Sequence, residues 1–124
     1  MFNGVEHTAI AAPDPEGLAT WYCDTLEFRV VHISDGNVFL RDRSGALMEI
    51  IPSTGPRGPN QRTDPGIRHL AIGVDDFDAA CERLHHLNVT FLSEPSPAPG
   101  NRIVFFEDPD GNILHLIQRA HPMP

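Results

Sequence analysis

Positive charge is scarce in this chain of 124 residues: 9 basic side chains stand against 17 acidic ones, for a formal net charge of −8. Nucleic acids and anionic membranes are held by clustered Lys and Arg, and no basic stripe is present, which argues against both as partners. Long apolar runs are missing too. No stretch reaches the roughly 18 residues that a membrane-spanning helix needs, and Met1-Phe2-Asn3-Gly4 lacks the charged-then-apolar opening of a signal peptide. The expected location is the cytoplasm. There are only two cysteines, Cys23 and Cys81, at matching places in two predicted helices. Without an export signal they read as reduced, packed thiols rather than as a disulfide. A chain this short makes one ordinary domain, or two half-size modules that cannot bury enough surface alone.

What the chain does contain is one pattern written twice. His7-Thr8-Ala9-Ile10 returns 62 positions later as His69-Leu70-Ala71-Ile72, and each copy leads to an acidic helix start, at Asp14 and Asp76. Asp42-Arg43-Ser44-Gly45-Ala46-Leu47-Met48-Glu49 returns 66 positions later as Asp108-Pro109-Asp110-Gly111-Asn112-Ile113-Leu114-His115. Two homologous halves therefore offer His7, Glu49, His69 and His115 from matching strands.

The first half reads as βαβββ. Val5 to Ala11 suits a strand, and Pro13-Asp14-Pro15-Glu16 stops it, with Asp14 as N-cap, Pro15 at the first helical position and Glu16 complementing the helix dipole. Leu18, Trp21, Tyr22 and Leu26 then recur at intervals of three and four, one face of a helix. Phe28–Ile33, Asn37–Arg41 and Ala46–Ile51 read as strands around Gly-bearing turns. The second half repeats this order: a strand over Ile67–Val74, a helix from Asp76 with Phe77, Ala80, Leu84 and Leu87 on one side, then strands at Val89–Leu92, Arg102–Phe106 and Ile113–Gln118. This organisation is one domain over 1–124, with a module over 4–52, a Pro/Gly/polar connector over 53–66 and a second module over 67–119. Ser93 to Gly100 is a Pro-rich loop placed to overhang the sheet. Asp108 to Asn112 lacks the alternating oxygen donors and terminal Glu of a calcium loop and reads as a tight turn.

Strand alternation tests whether the four polar residues can meet. Leu47, Glu49 and Ile51 share one face while Met48 and Ile50 take the other, and Ile113, His115 and Ile117 likewise oppose Leu114 and Leu116. His7 goes with Val5 and Ala9, and His69 with Ile67 and Ala71, so all four point away from the face that helices cover. A His/Glu/His/His set suits one divalent transition metal, Zn, Ni, Fe, Co or Mn, since imidazole and carboxylate bind all of them; Ca²⁺ and Mg²⁺ want oxygen donors. Such a site carries a net charge of about +1 and polarises a bound carbonyl or lowers the pKa of a bound water. A carboxylate on an apolar strand also needs a cationic partner, which a metal would supply for Glu49. His115 reads either as a ligand or as an acid-base group beside the metal. Arg102 reads as an anchor for an anionic or carbonyl group or as a surface salt bridge, and Phe39 and Phe105 are candidate substrate contacts. His32, His85, His86 and His121 read as solvated.

The sequence resembles the glyoxalase, bleomycin-resistance and extradiol-dioxygenase superfamily, the vicinal oxygen chelate proteins, from Val5 to Gln118. The resemblance is carried by Val5-Glu6-His7-Thr8-Ala9-Ile10, Trp21-Tyr22-Cys23-Asp24-Thr25-Leu26-Glu27-Phe28, Leu47-Met48-Glu49-Ile50, Gly66-Ile67-Arg68-His69-Leu70-Ala71-Ile72 and Phe106-Glu107-Asp108-Pro109-Asp110-Gly111-Asn112. It implies an α+β fold of two tandem βαβββ modules, forming a cup-shaped open mixed β-sheet with helices on the outer face, commonly as a homodimer. It also implies a small-molecule substrate and a metal held from the first and last strands of each module, here His7, Glu49, His69 and His115. The family usually has Glu where this chain has His115. Glu49 is then the one carboxylate able to move a proton in glyoxalase I-like lyase or isomerase chemistry. Two alternatives remain open at this point: a bleomycin-resistance-like drug-binding protein without catalysis, which the net charge of −8 suits, and an Fe(II) extradiol-type dioxygenase with Glu49 standing in for the missing Glu.

Overall fold

Each half of the chain stops its first strand with a helix that it caps itself. In a computed structural model describing residues 1–124, β1 (Thr8–Ala12) gives way to α1 (Pro15–Leu26), where Asp14 Oδ1 accepts the Gly17 N–H at 3.1 Å. Pro15 occupies the first helical position, where the N–H it lacks would have no partner within the helix. α1 ends at Glu27, whose left-handed φ of 62° turns its N–H back to the Tyr22 carbonyl. β2 (Arg29–Ser34), β3 (Asn37–Arg41) and β4 (Leu47–Pro52) follow. The second half runs β5 (Leu70–Gly73), α2 (Phe77–His86), β6 (Thr90–Phe91), β7 (Arg102–Glu107) and β8 (Ile113–Gln118), with Asp76 Oδ1 accepting the Ala79 N–H at 3.1 Å. The βαβββ order expected from the repeat is therefore found twice.

Contacts divide the chain into units Met1–Arg57 and Gly58–Pro124, each with one mixed four-stranded sheet. The strand orders are β1-β4-β3-β2 and β5-β8-β7-β6. In each, the first strand pairs parallel with the last and the other pairs are antiparallel. Both opening strands are shorter than expected, starting at Thr8 and Leu70 instead of Val5 and Ile67. Their ladders begin at Thr8↔Met48 and Leu70↔Leu114. Further back the partner chain has become a turn, and Val5 and Ile67 are left 92% and 86% exposed.

Those turns are chemically alike. Asp42 Oδ1 accepts the Ala46 N–H at 2.9 Å and the Ser44 hydroxyl at 2.6 Å. Asp108 Oδ1 accepts the N–H groups of Asp110 and Asn112, each at 3.0 Å, while its Oδ2 takes the Asn112 amide at 2.7 Å. Gly45 and Gly111 provide the positive φ, 94° and 85°, that each turn requires. Asp108–Asn112 is thus the tight turn expected.

One face of each sheet is apolar and packs on its helix. In the first unit Val38, Leu40, Met48 and Ile50 are buried with Leu18, Tyr22 and Phe28, and Tyr22 meets Trp21 and Phe28 edge to face at 5.1 and 5.4 Å. In the second, Val104, Phe106, Leu114 and Leu116 are buried with Phe77, Cys81 and Leu84. Each large aliphatic or aromatic side chain removed from water this way contributes about 1.5–3 kcal/mol. Leu87 departs from its expected face: α2 ends at His86, and Leu87 is the exposed C-cap. Cys23 and Cys81 are unpaired, and burial raises both thiol pKa values, which keeps them protonated near neutrality. No helix is long and apolar enough to cross a membrane.

The Pro-rich loop expected to overhang the sheet instead continues the ladder along the edge of β7. Leu92 N–H bonds Phe105 O at 2.8 Å, Ser96 N–H bonds Ile103 O at 2.9 Å, and Ser93 Oγ accepts the Phe105 N–H at 3.0 Å. Backbone groups on that edge would otherwise lack partners. Because the two caps are equivalent, Asp14→Ala and Asp76→Ala should each lower unfolding free energy by about 1 kcal/mol. Urea midpoints at unchanged m-value would read this; an unchanged midpoint in either variant would show that its cap carries no stability.

Candidate functional site

The face of each sheet away from its helix carries a polar pair. In the first unit, β3 and β4 pair Phe39 with Glu49, and β1 and β4 pair Ala9 with Glu49, so the carboxylate lies between an aromatic ring and a methyl group. His7 stands one residue before β1, with its Nε2 3.4 Å from Glu49 Oε1 and its ring 6.4 Å from that of Phe39. Its Nδ1 is 2.6 Å from Glu6 Oε1. With Nδ1 donating its hydrogen to Glu6, a neutral imidazole turns its Nε2 lone pair toward a carboxylate oxygen.

The second unit reproduces this placement with different chemistry. Ala71 and Phe105 flank His115 in register, as Ala9 and Phe39 flank Glu49. His69 and His115 stack obliquely with ring centroids 4.5 Å apart, and Phe105 meets them edge-on at 5.8 and 5.0 Å. His115 is 7% exposed, and its Nδ1 lies 3.1 Å from the Leu116 carbonyl. A carbonyl only accepts, so Nδ1 carries the hydrogen and Nε2 keeps its lone pair. Burial lowers the pKa of His115 below its ordinary value; the Leu116 hydrogen bond opposes this, and His69 and Arg119 add to it.

The structure thus brings the four candidate ligands together as two pairs, His7 with Glu49 and His69 with His115. Within neither unit do three His, Cys, Asp or Glu side chains converge. The donors present fit a divalent transition metal. Two donors that each lie ~2.0–2.2 Å from a tetrahedral ion stand about 3.4 Å apart, which is the His7–Glu49 separation. Both His7 and His115 have Nδ1 tied to an acceptor, the arrangement that fixes a metal-binding imidazole.

Phe39 and Phe105 lie beside the pairs. Arg102 does not: its guanidinium lies over the Phe77 ring at 4.5 Å, with Nη2 3.1 Å from Asp78 Oδ1 and Nε donating to Ser96 O at 2.8 Å. Alternation along β7 sends residues 102, 104 and 106 toward α2, and Phe105 to the opposite side. Of its two sequence readings, the salt bridge matches these contacts. A hollow lined by Asp78, Cys81, Glu82, His85 and His86 on α2 contains none of the candidate ligands, and His85 stacks on Phe91 at 4.2 Å. Sequence reasoning missed Glu6, although it directly precedes His7, and Arg62, which the connector places over Phe105 with its guanidinium carbon 4.5 Å from the ring centre.

Residues 4–116 match the family described as the Glyoxalase/Bleomycin resistance protein/Dioxygenase superfamily. This chain belongs to that superfamily. The uncharacterized protein YaeR of Escherichia coli (strain K12) is 34% identical over 93% of this chain and 95% of its own length. A probable lactoylglutathione lyase of Synechocystis sp. (strain ATCC 27184 / PCC 6803 / Kazusa) is 28% identical over 92% and 94%. In fold, a glyoxylase/bleomycin resistance protein/dioxygenase domain from Frankia sp. EAN1pec superposes with a TM-score of 0.77 at 22% identity, covering 98% of this chain and 96% of that one.

The lowered pKa of His115 has a definite sign in stability. Above its ordinary value near 6.5 the imidazole is neutral in both folded and unfolded chains and costs nothing. As pH falls below that, the unfolded chain takes up the proton first, and folding stability drops until the folded-state pKa is passed. On metal-free protein, the thermal midpoint of wild type should therefore fall more steeply between about pH 7 and pH 5 than that of His115→Gln. Equal slopes would show that His115 contributes nothing to acid sensitivity.

Proposed function

We propose that this chain is a divalent-metal-dependent small-molecule enzyme carrying out glyoxalase I-like lyase or isomerase chemistry, with His7, Glu49, His69 and His115 as ligands and Glu49 as the proton-moving group. The observation that carries this reading is the His7–Glu49 pair, an imidazole nitrogen and a carboxylate oxygen held 3.4 Å apart, about the spacing of two donors on one tetrahedral ion. The homologous His69–His115 pair, at the matching register of the second sheet, supports it. So does the relative named as a probable lactoylglutathione lyase. The two pairs belong to different units, one on each sheet.

A bound divalent ion would supply Lewis-acid polarisation of adjacent substrate oxygens. The chain's own groups do the rest. Glu49, with a side chain 15% exposed beside Phe39, is the only carboxylate among the four and takes a proton from the carbon next to the substrate carbonyl, then returns it to the neighbouring carbon. Glu6 and the Leu116 carbonyl hold the His7 and His115 rings in the tautomer that leaves Nε2 unprotonated. Phe39 lies beside the first pair and Phe105 beside the second, each covering one side of it. Asymmetry between the units thus separates a carboxylate-bearing, proton-moving half from an all-imidazole half.

Metal analysis tests this directly. Wild type incubated with Ni²⁺, Zn²⁺, Fe²⁺, Co²⁺ or Mn²⁺ should retain a stoichiometric ion. Glu49→Gln and His115→Ala should bind it at least tenfold more weakly, since changes to the outer partners of such ligands alone cost about 10–100-fold. Wild type that retains none of these ions would overturn the proposal, and unchanged affinity in His115→Ala would remove that residue from the ligand set.

A further inference from the structure

The chain has no lysine; all its basic side chains are arginine. Several serve the structure. Arg41 donates to the Gly45 carbonyl, Arg43 pairs with Glu27, Arg68 bonds Asn60 and Gln61, and Arg102 pairs with Asp78. Arg62 differs from these. Its guanidinium carbon lies over Phe105, 4.5 Å from the ring centre, and it makes no hydrogen bond or ion pair with the protein. One face is thus occupied by a ring and all five N–H donors are left for something else.

The connector builds this position. Asn60 Nδ2 donates to the Gly111 carbonyl at 2.9 Å and its Oδ1 receives Arg68 Nη1 at 3.1 Å, while Gln61 N–H bonds Asp64 Oδ2 at 2.7 Å. Arg62 is therefore flanked by anchored residues. Phe105, on which it rests, meets both His69 and His115 edge-on. The charge therefore lies on the histidine-bearing face, no farther from the His115 ring than those two ring contacts laid end to end. Arg62 places one positive charge beside the two imidazoles in a chain whose net charge is −8, and an anion approaching such a chain needs a local cation to hold it.

We propose that Arg62 binds an oxyanion on the substrate, so that the natural ligand carries a carboxylate or phosphonate group. The guanidinium fork matches either group through two parallel hydrogen bonds. This inference rests on the proposed metal-dependent function and adds the substrate class and the residue that selects it.

Calorimetric titration of Zn²⁺-loaded protein with glycolate, hydroxymethylphosphonate and the uncharged analogue hydroxyacetone tests it. Wild type should bind at least one of the two anions, and Arg62→Ala should weaken that binding by about tenfold or more, the scale of a charge-assisted hydrogen bond. Arg62→Lys should recover only part, because an ammonium keeps the charge without the fork. Hydroxyacetone affinity and zinc content should be the same in all three proteins. Whichever anion shows the loss identifies the group. Equal anion affinity in wild type and Arg62→Ala, a parallel loss for hydroxyacetone, or no binding of either anion overturns this inference while leaving the metal assignment standing. Failure of wild type to take up zinc or any other divalent ion overturns both.

Discussion

Asp108 accepts hydrogen bonds from two backbone N–H groups and from the Asn112 side chain, and in doing so closes the five-residue turn that joins β7 to β8. Asp42 closes the equivalent turn between β3 and β4 by accepting the Ala46 N–H and the Ser44 hydroxyl. The length and hydrogen bonding of these turns set hairpin register, and register decides which face every later side chain takes, because a slip of one residue exchanges the two faces. From Arg41↔Leu47 and Glu107↔Ile113 it follows that Glu49 stands opposite Phe39 and His115 opposite Phe105. The same register sends Met48, Ile50, Leu114 and Leu116 into the helix-covered cores. A buried aspartate, 3% exposed at position 108, thus keeps polar and apolar sets apart in the strand that carries His115.

The two units use one scaffold for unlike chemistry. Equivalent positions carry Glu49 against His7 in one and His115 against His69 in the other. Beside the first pair stands another carboxylate, Glu6; beside the second, through Phe105, stands Arg62. One half therefore carries two carboxylates beside its histidine, and the other carries two imidazoles and a guanidinium. Duplication accounts for the placement, and divergence at a handful of side chains accounts for the difference in what each half can do.

Much of this was legible in the chain. Helix starts at Asp14 and Asp76 were readable because capping is local chemistry, settled within four residues. Strand faces were readable because alternation has a period of two and the apolar members of β3, β4, β7 and β8 declare the buried side. The candidate ligands were readable because the repeat aligned them. Less was visible where long-range contacts decide. Arg102 sits on a strand whose phase Val104 and Phe106 do reveal, but its engagement by Phe77 and Asp78 depends on where α2 packs. Ser93–Gly100 pairs with β7 through two serine hydroxyls and backbone groups, and neither leaves a periodic trace.

By itself the sequence determined the two βαβββ orders, through capping and alternation along the chain, and the superfamily, through the motifs it carries, and it singled out four candidate donors by their repeat spacing. Tertiary structure alone decided that the donors fall into two close pairs, that imidazole tautomers are held by Glu6 and the Leu116 carbonyl, and that the connector returns Arg62 onto Phe105. Such facts depend on distances between residues far apart in the chain, as Arg62 and Phe105 are. Those distances are set by sheet pairing and by single hydrogen bonds such as Asn60 to Gly111, which no periodicity encodes.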